Sequence, residues 1–207
     1  SRNDDWAEQW RRLRHRDQED ASNEADAAVE ESGALALFVR RLERVALSQR
    51  ANQRLDRFMP ELLGRIDQRA PQDQAGDAYL NRVFDLVLAI SRRSAYLVLL
   101  VQHPKALDRM LDLFARSEWV ADKVIRFPAL LDELIDPALG AHLPTDEELA
   151  GSVARILRAA PDTESTLEAL NYLKLATELR IAVGQLQQGL PGTTAQAALS
   201  GLASALL

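Results

Sequence analysis

Leu55, Phe58, Met59, Leu62, Leu63 and Ile66 recur at i, i+3, i+4, i+7, i+8 and i+11. Only an α-helix, at 3.6 residues per turn, gathers those positions on one face; a strand, with period two, scatters them. A stripe this wide needs other apolar helix faces to cover it. They lie on both sides: Leu35, Phe38, Leu42 and Val45 before it, and Leu80, Val83, Phe84, Val87, Leu88 and Ser91 after it. Leu107, Met110, Leu111 and Phe114 add another. The predicted fold class is all-α, a multi-helix bundle of about eight to ten helices. Hydrophobic content of 47% suits a packed core, and only 9 Gly and 8 Pro argue against a turn-rich β-sandwich.

The helix punctuation is readable. Pro60 falls inside the first stripe and is expected to kink that helix or begin a new one, since it lacks an N–H and crowds the preceding turn. Ala95 to Val101 is apolar on nearly every side, the pattern of a central helix. Continuity with the preceding period predicts one long helix, with Arg92 and Arg93 in its middle, ended by His103-Pro104. Ser117 is a candidate N-cap, with Glu118 in the first turn. Pro128 suits the first position of a helix through Leu134. Thr145 and Glu148 have capping-box spacing ahead of Leu149, Val153, Ile156 and Leu157. A long helix is expected from Pro161-Asp162 to Gln188, with Tyr172, Leu175, Leu179, Ala182 and Leu186 as its seam, and a last one over 193–207.

At the N-terminus, Trp6, Trp10 and Leu13 predict a small docking helix; its cluster of arginines makes an RNA-binding arm the alternative. Asp17 to Ser32 is acidic, holds no Lys or Arg, and reads as a mobile linker or a frayed helix. A net charge of −6 and a pI near 5.2 give no general nucleic-acid footprint. No apolar run approaches the roughly 20 residues that span a bilayer. With no Cys, the chain has neither disulfides nor thiolate metal sites, as expected of a cytoplasmic protein. It starts at Ser1 without Met and ends in an apolar run, as a piece of a longer protein would.

Catalytic chemistry is sparse. His15, His103 and His142 never pair at the i, i+3 or i+4 spacing that puts two metal ligands on one helix face. No Gly-rich phosphate loop follows a strand. Asp132, Glu133 and Asp136 form a carboxylate cluster, with Asp132 and Asp136 expected to share a helix face; a cation or acid–base site is one reading, a solvated face the other. At least one of Arg92 and Arg93 is expected to lie near the core, where a charge needs a partner such as Asp132, Glu133 or Glu178; an anion site is the alternative. No catalytic, cofactor-binding or metal residue is assigned. The candidate structural or regulatory ion-pair residues are Arg92, Arg93, Asp132, Glu133 and Arg180.

One resemblance adds to this. Arg93, Ser94, Tyr96, Leu97, Leu99 and Leu100, then Pro104, Ala106 and Leu107, then Ser117 and Trp119, stand in order. Pro128, Leu130, Leu131, Asp132, Glu133, Leu134, Asp136 and Pro137 follow. A second block has Glu168, Lys174, Ala176, Leu179, Arg180, Ile181 and Ala182, then Gly189, Leu190 and Pro191. Together they resemble the bifunctional adenylyltransferase/adenylyl-removing enzymes of glutamine synthetase. Asn171-Tyr172 and Gly184-Gln185 depart from that pattern.

The resemblance implies a parent with two nucleotidyltransferase halves, one transferring AMP from ATP to a tyrosine of glutamine synthetase and the other removing it by phosphorolysis. It implies control by glutamine and the P-II signal protein, and magnesium and ATP as the parent's cofactors. The acidic nucleotidyltransferase motif is absent from these 207 residues, so no cofactor is expected here and the segment alone is expected to be inactive. The implied organisation is a docking helix and acidic linker (1–32), a helical linker or regulatory domain (33–190) and the lead-in helix of a following nucleotidyltransferase domain (191–207). The expected partners are glutamine synthetase, P-II and the flanking catalytic domains, with no nucleic acid and no membrane. The alternatives are a stand-alone helical protein–protein interaction module and a small-ligand sensor for glutamine.

Overall fold

A computed structural model of the chain describes residues 2–14, 33–69 and 75–207. The acidic run 17–32, His15 and most of the loop 70–76 lie outside them. Among the described residues there are ten α-helices, one 3-10 helix and no strand. The all-α expectation holds. The helices pack as two compact units, 1–128 and 129–207, so the boundary falls inside the stretch that the sequence treats as one helical domain.

The first unit holds α1 (Arg2–Arg14), α2 (Ala34–Glu43), α3 (Gln49–Asp67), α4 (Ala75–Ile90), α5 (Ser94–Gln102), α6 (Pro104–Arg116) and α7 (Glu118–Arg126). The α3 stripe is the best-covered surface: Leu55, Phe58, Met59, Leu62, Leu63 and Ile66 are all at most 1% exposed. Helix α3 continues through Pro60 and does not restart there. Pro60 removes one backbone donor, and burial of the stripe on either side of it holds the helix together.

Trp10 of α1 stacks on Phe38 of α2, with centroids 6.0 Å apart, and Phe38 stacks on Phe84 of α4 at 4.8 Å. The N-terminal helix therefore packs on α2 and α3. Arg14 donates to Asn52 and pairs with Asp56 of α3 at 3.7 Å, so part of its basic end is spent on the fold. Arg65 and Arg69 bind Asp108, and Arg69 also reaches Asp112, linking α3 to α6 across the surface.

Two expectations are corrected. The long helix over 80–101 is interrupted: the Ser91 hydroxyl donates to Leu88 O at 2.8 Å and Arg93 N–H to Ile90 O, closing a turn between α4 and α5. Arg92 and Arg93 therefore sit in an exposed turn, away from any helix middle. Helix α5 is also not central. Among its described side chains only Leu97 and Leu100 are buried, and Val101 is 46% exposed. The centre is α4, which packs against α2, α5, α6 and α7 and buries Tyr79, Val83, Phe84, Leu86, Val87 and Ile90.

The second unit holds the 3-10 helix Pro128–Ile135, which starts at the unit boundary, and α8 (Asp146–Ala159), α9 (Thr163–Gln188) and α10 (Gly192–Leu206). The expected caps are present. Ser117 accepts from Val120 N–H, Thr145 and Glu148 form the reciprocal box, and Asp162 accepts from Ser165 N–H. Gly189, at φ +68°, turns the chain so that Leu190 N–H returns to Gly184 O. At Gly140, with φ +83°, an added Cβ would lie 2.6 Å from Gly184 N, so this loop rests directly on the α9 backbone.

Two stability effects follow. Phe84→Ala is expected to cost about 3–5 kcal/mol by emptying the centre of the first unit. Gly140→Ala is expected to be far worse than Gly192→Ala, because only the first meets backbone. Urea unfolding of the three proteins reads both.

Candidate functional site

The polar centre of the second unit is Arg180, on α9. Its guanidinium donates to Glu133 Oε2 at 3.3 Å and lies 3.8 Å from Asp136 Oδ2. The Tyr172 hydroxyl, two turns earlier on α9, donates to Glu133 Oε1 at 2.8 Å. Glu133 thus has one oxygen on each donor, and the 3-10 helix is clasped to α9 at two points. The Glu133 and Arg180 side chains are only 20% and 26% exposed, which weakens screening by water.

Local geometry explains which carboxylates meet. A 3-10 helix has three residues per turn, so i and i+3 eclipse while i and i+4 diverge. Glu133 faces the Arg180 cation, and Asp136, the first residue after this helix, reaches the same cation through an i+3 turn in which its N–H donates to Glu133 O. Asp132 points away and is exposed, so the predicted Asp132–Asp136 face does not form. Glu178, also considered as a partner, lies 3.8 Å from Lys174. Of the predicted ion-pair residues the structure brings Glu133 and Arg180 together, while Arg92, Arg93 and Asp132 stand exposed.

Beside the clasp, a cleft of about 700 Å³ opens between α8 and α9. Its α9 wall is Ala169, Tyr172, Leu173, Ala176, Thr177 and Arg180. That set has spacing i, i+3, i+4, i+7, i+8, i+11, the same template as α3. It escaped sequence reasoning because it mixes small, polar and apolar side chains, and hydrophobicity alone does not mark it. Burial on α9 confirms two working faces, since Leu175, Leu179 and Val183 alternate with Thr177 and Ile181 among the buried residues.

At the far lip, Glu148 accepts from Thr145 N–H at 2.8 Å and from the Thr145 hydroxyl at 3.2 Å. The backbone hydrogen bond, then the hydroxyl, hold its carboxyl below the usual glutamate range. His142 Nε2 stands 3.7 Å away. No group of three or more His, Cys, Asp or Glu side chains suited to a metal ion occurs among the described residues.

Comparison with known proteins shows a similarity over this part of the chain. Residues 107–207 match the family model described as glutamate-ammonia ligase adenylyltransferase. This stretch contains the clasp and both walls of the cleft. From residue 107 onward, the chain is similar to that family. The chain is 40% identical over 164 residues to the bifunctional glutamine synthetase adenylyltransferase/adenylyl-removing enzyme of Pseudomonas syringae. The match takes in 78% of this chain and 16% of that enzyme. The enzyme of the same name from Pseudomonas putida is 41% identical over 157 residues, 75% of this chain and 16% of its own length. The one from Stenotrophomonas maltophilia is 39% identical over 164 residues, 78% and 17%. The chain thus spans about a sixth of the length of the curated relatives it matches.

Two outcomes are expected. Arg180→Ala, which leaves two carboxylates facing each other, costs roughly 1–2 kcal/mol, between a surface and a buried pair. A double-mutant cycle with Glu133→Ala in urea shows coupling near 1 kcal/mol. The depressed Glu148 carboxyl stabilises the start of α8 at pH above the usual glutamate range. That stabilisation is lost as pH falls through the lower folded value. Protection of the amides in the first turn of α8, taken relative to their intrinsic exchange rates, falls in acid, and Glu148→Gln removes that dependence.

Proposed function

We propose that this chain is a non-catalytic helical linker and regulatory segment of an enzyme that adenylylates and deadenylylates a tyrosine of glutamine synthetase. The observation that carries the reading is the engagement of the family's own acidic block. Glu133 and Asp136 are bound by Arg180, and Tyr172 holds the other Glu133 oxygen. A carboxylate pair already facing a guanidinium does not fit a magnesium ion, which would meet an unscreened positive charge. The arrangement instead fixes the relative position of two helices. In this reading magnesium and ATP are held elsewhere in the longer polypeptide, by catalytic domains that flank the segment. Glutamine synthetase and the P-II signal protein are partners of that whole, and its compartment is the cytoplasm. No helix among the described residues is long and apolar enough to cross a membrane, which is compatible with that placement.

A second reading, a glutamine sensor, is favoured by the α8–α9 cleft, whose volume lies within the range of small-molecule sites. Thermal unfolding separates the two. Glutamine at about 100 times its dissociation constant would stabilise the chain by about 2.7 kcal/mol. The linker reading expects no saturable shift at millimolar glutamine.

The direct test is transfer of labelled AMP from ATP to glutamine synthetase. The chain alone is expected to give none above background, alongside an intact relative as positive control. In that relative, Ala at the position matching Arg180 is expected to alter the response to glutamine and P-II more than the maximal rate. Transfer by the chain alone, or a pure loss of maximal rate, would overturn the proposal.

A further inference from the structure

Helix α8 presents a second face, turned away from the cleft. Asp146, Ala150, Val153 and Leu157 stand at i, i+4, i+7 and i+11, the spacing that puts four side chains on one side of a helix. The two ends of this face differ. At Asp146 it meets α10: a Cβ added at Gly201 would run into the Asp146 carboxylate. At the other end Leu157 is 59% exposed and Val153 only half-buried. Leu167, 62% exposed, stands at the same end of the hairpin, in the second turn of α9. Helix α6 shows the usual fate of such a stripe, with Ala106, Leu107, Met110, Leu111, Leu113 and Phe114 all buried. An amphipathic helix gains most of its stability from burying its apolar face, so the bare half of α8 calls for a neighbour.

The heading of α10 says which neighbour. The turn 160–162 reverses the chain from α8 into α9, and the turn 189–191 reverses it from α9 into α10. Helix α10 packs on both α8 and α9. It therefore runs parallel to α8, toward Leu157. Its inward face is Ala195, Ala198, Leu202 and Ala205, each buried or half-buried. Parallel helices rise alike, about 1.5 Å per residue, so the register set by Gly201 against Asp146 carries along both. In that register Leu206 comes level with about Gly151, short of both Val153 and Leu157. The bare half of α8 lies directly ahead of α10.

We propose that in the longer polypeptide α10 continues past Leu207 and lays its next two turns along α8, over Val153 and Leu157. By the same register, about the first residue after Leu207 faces Val153 and about the fifth faces Leu157, so both are apolar. The third points away from α8 and is free to be polar. The similarity over 107–207 takes in α8, α9 and α10, so the register carries to the relatives, of whose length this chain spans about a sixth. The inference rests on the chain being part of a longer enzyme, and it holds whether or not that part regulates.

The test is disulfide trapping in an intact bifunctional relative. One cysteine replaces the residue aligned with Leu157, and its mate stands at the fifth residue past the one aligned with Leu207. In the comparison protein the mate stands at the third. The first pair bridges about tenfold faster under mild oxidation, because a disulfide needs Cα atoms within about 7 Å. Hydrogen–deuterium exchange supplies a second readout. Leu157→Asp leaves α8 unchanged in the 207-residue chain, where that side chain is mostly in water. Asp at the aligned position of the intact relative speeds exchange in the second half of α8 by about tenfold and leaves α6 as it was. Equal or absent bridging would overturn the proposal even if Asp sped exchange, since another segment would then cover the face. An intact relative indifferent to Asp would overturn it as well. So would protection of α8 in the 207-residue chain that grows with its concentration, the mark of a second copy on this face. Neither readout involves AMP transfer, so a failed regulatory reading and a failed helix extension are told apart.

Discussion

The first unit depends on removing one helix face from water. Burial of a large apolar side chain contributes about 1.5–3 kcal/mol, and the α3 stripe supplies six of them. That sum is comparable to the whole net stability of an ordinary domain. The other helices of the unit are positioned by it. Helices α1 and α5 pack on α3, and the stack of Trp10, Phe38 and Phe84 ties α1 and α2 to the central α4. The ion pairs of Arg65 and Arg69 with Asp108 and Asp112 lie on the rim, where they set register more than they add stability.

The second unit is built differently. Its helices α8 and α10 bury few side chains, and α9 is the only one with two covered faces. What organises it is polar and steric. Arg180 gathers Glu133 and Asp136, Tyr172 holds Glu133 from the other side, and the Gly140 loop lies on the backbone at Gly184. Such contacts specify one geometry with little buried area.

The candidate site was half legible in advance. Glu133 and Arg180 were both named as ion-pair candidates, but Glu133 was offered as a partner of Arg92 or Arg93, and the structure sets it against Arg180. Tyr172 was assigned to an apolar seam, yet its hydroxyl reaches Glu133 because the ring sits at the edge of that seam, 37% exposed. Arg92 and Arg93 were expected inside a helix. One hydrogen bond from Ser91 to Leu88 O and one from Arg93 to Ile90 O end that helix early, and both arginines turn to solvent.

The sequence by itself determined the helices and their ends. Hydrophobic period, capping side chains and proline positions act within a few residues, so α3, α6, α8 and α9 and the caps at Ser117, Thr145 and Asp162 could be read directly. Tertiary structure decided which apolar helix is central, whether Pro60 breaks its helix, and which carboxylate faces Arg180. Each of these depends on what packs against the element from far along the chain. The apolar run 95–101 looks buried on every side, but α4 occupies the centre and leaves Val101 exposed. The 3-10 winding of 128–135, continued by the turn from Asp136 N–H to Glu133 O, brings Glu133 and Asp136 and not Asp132 to Arg180, because a change from 3.6 to three residues per turn moves every side chain around the axis.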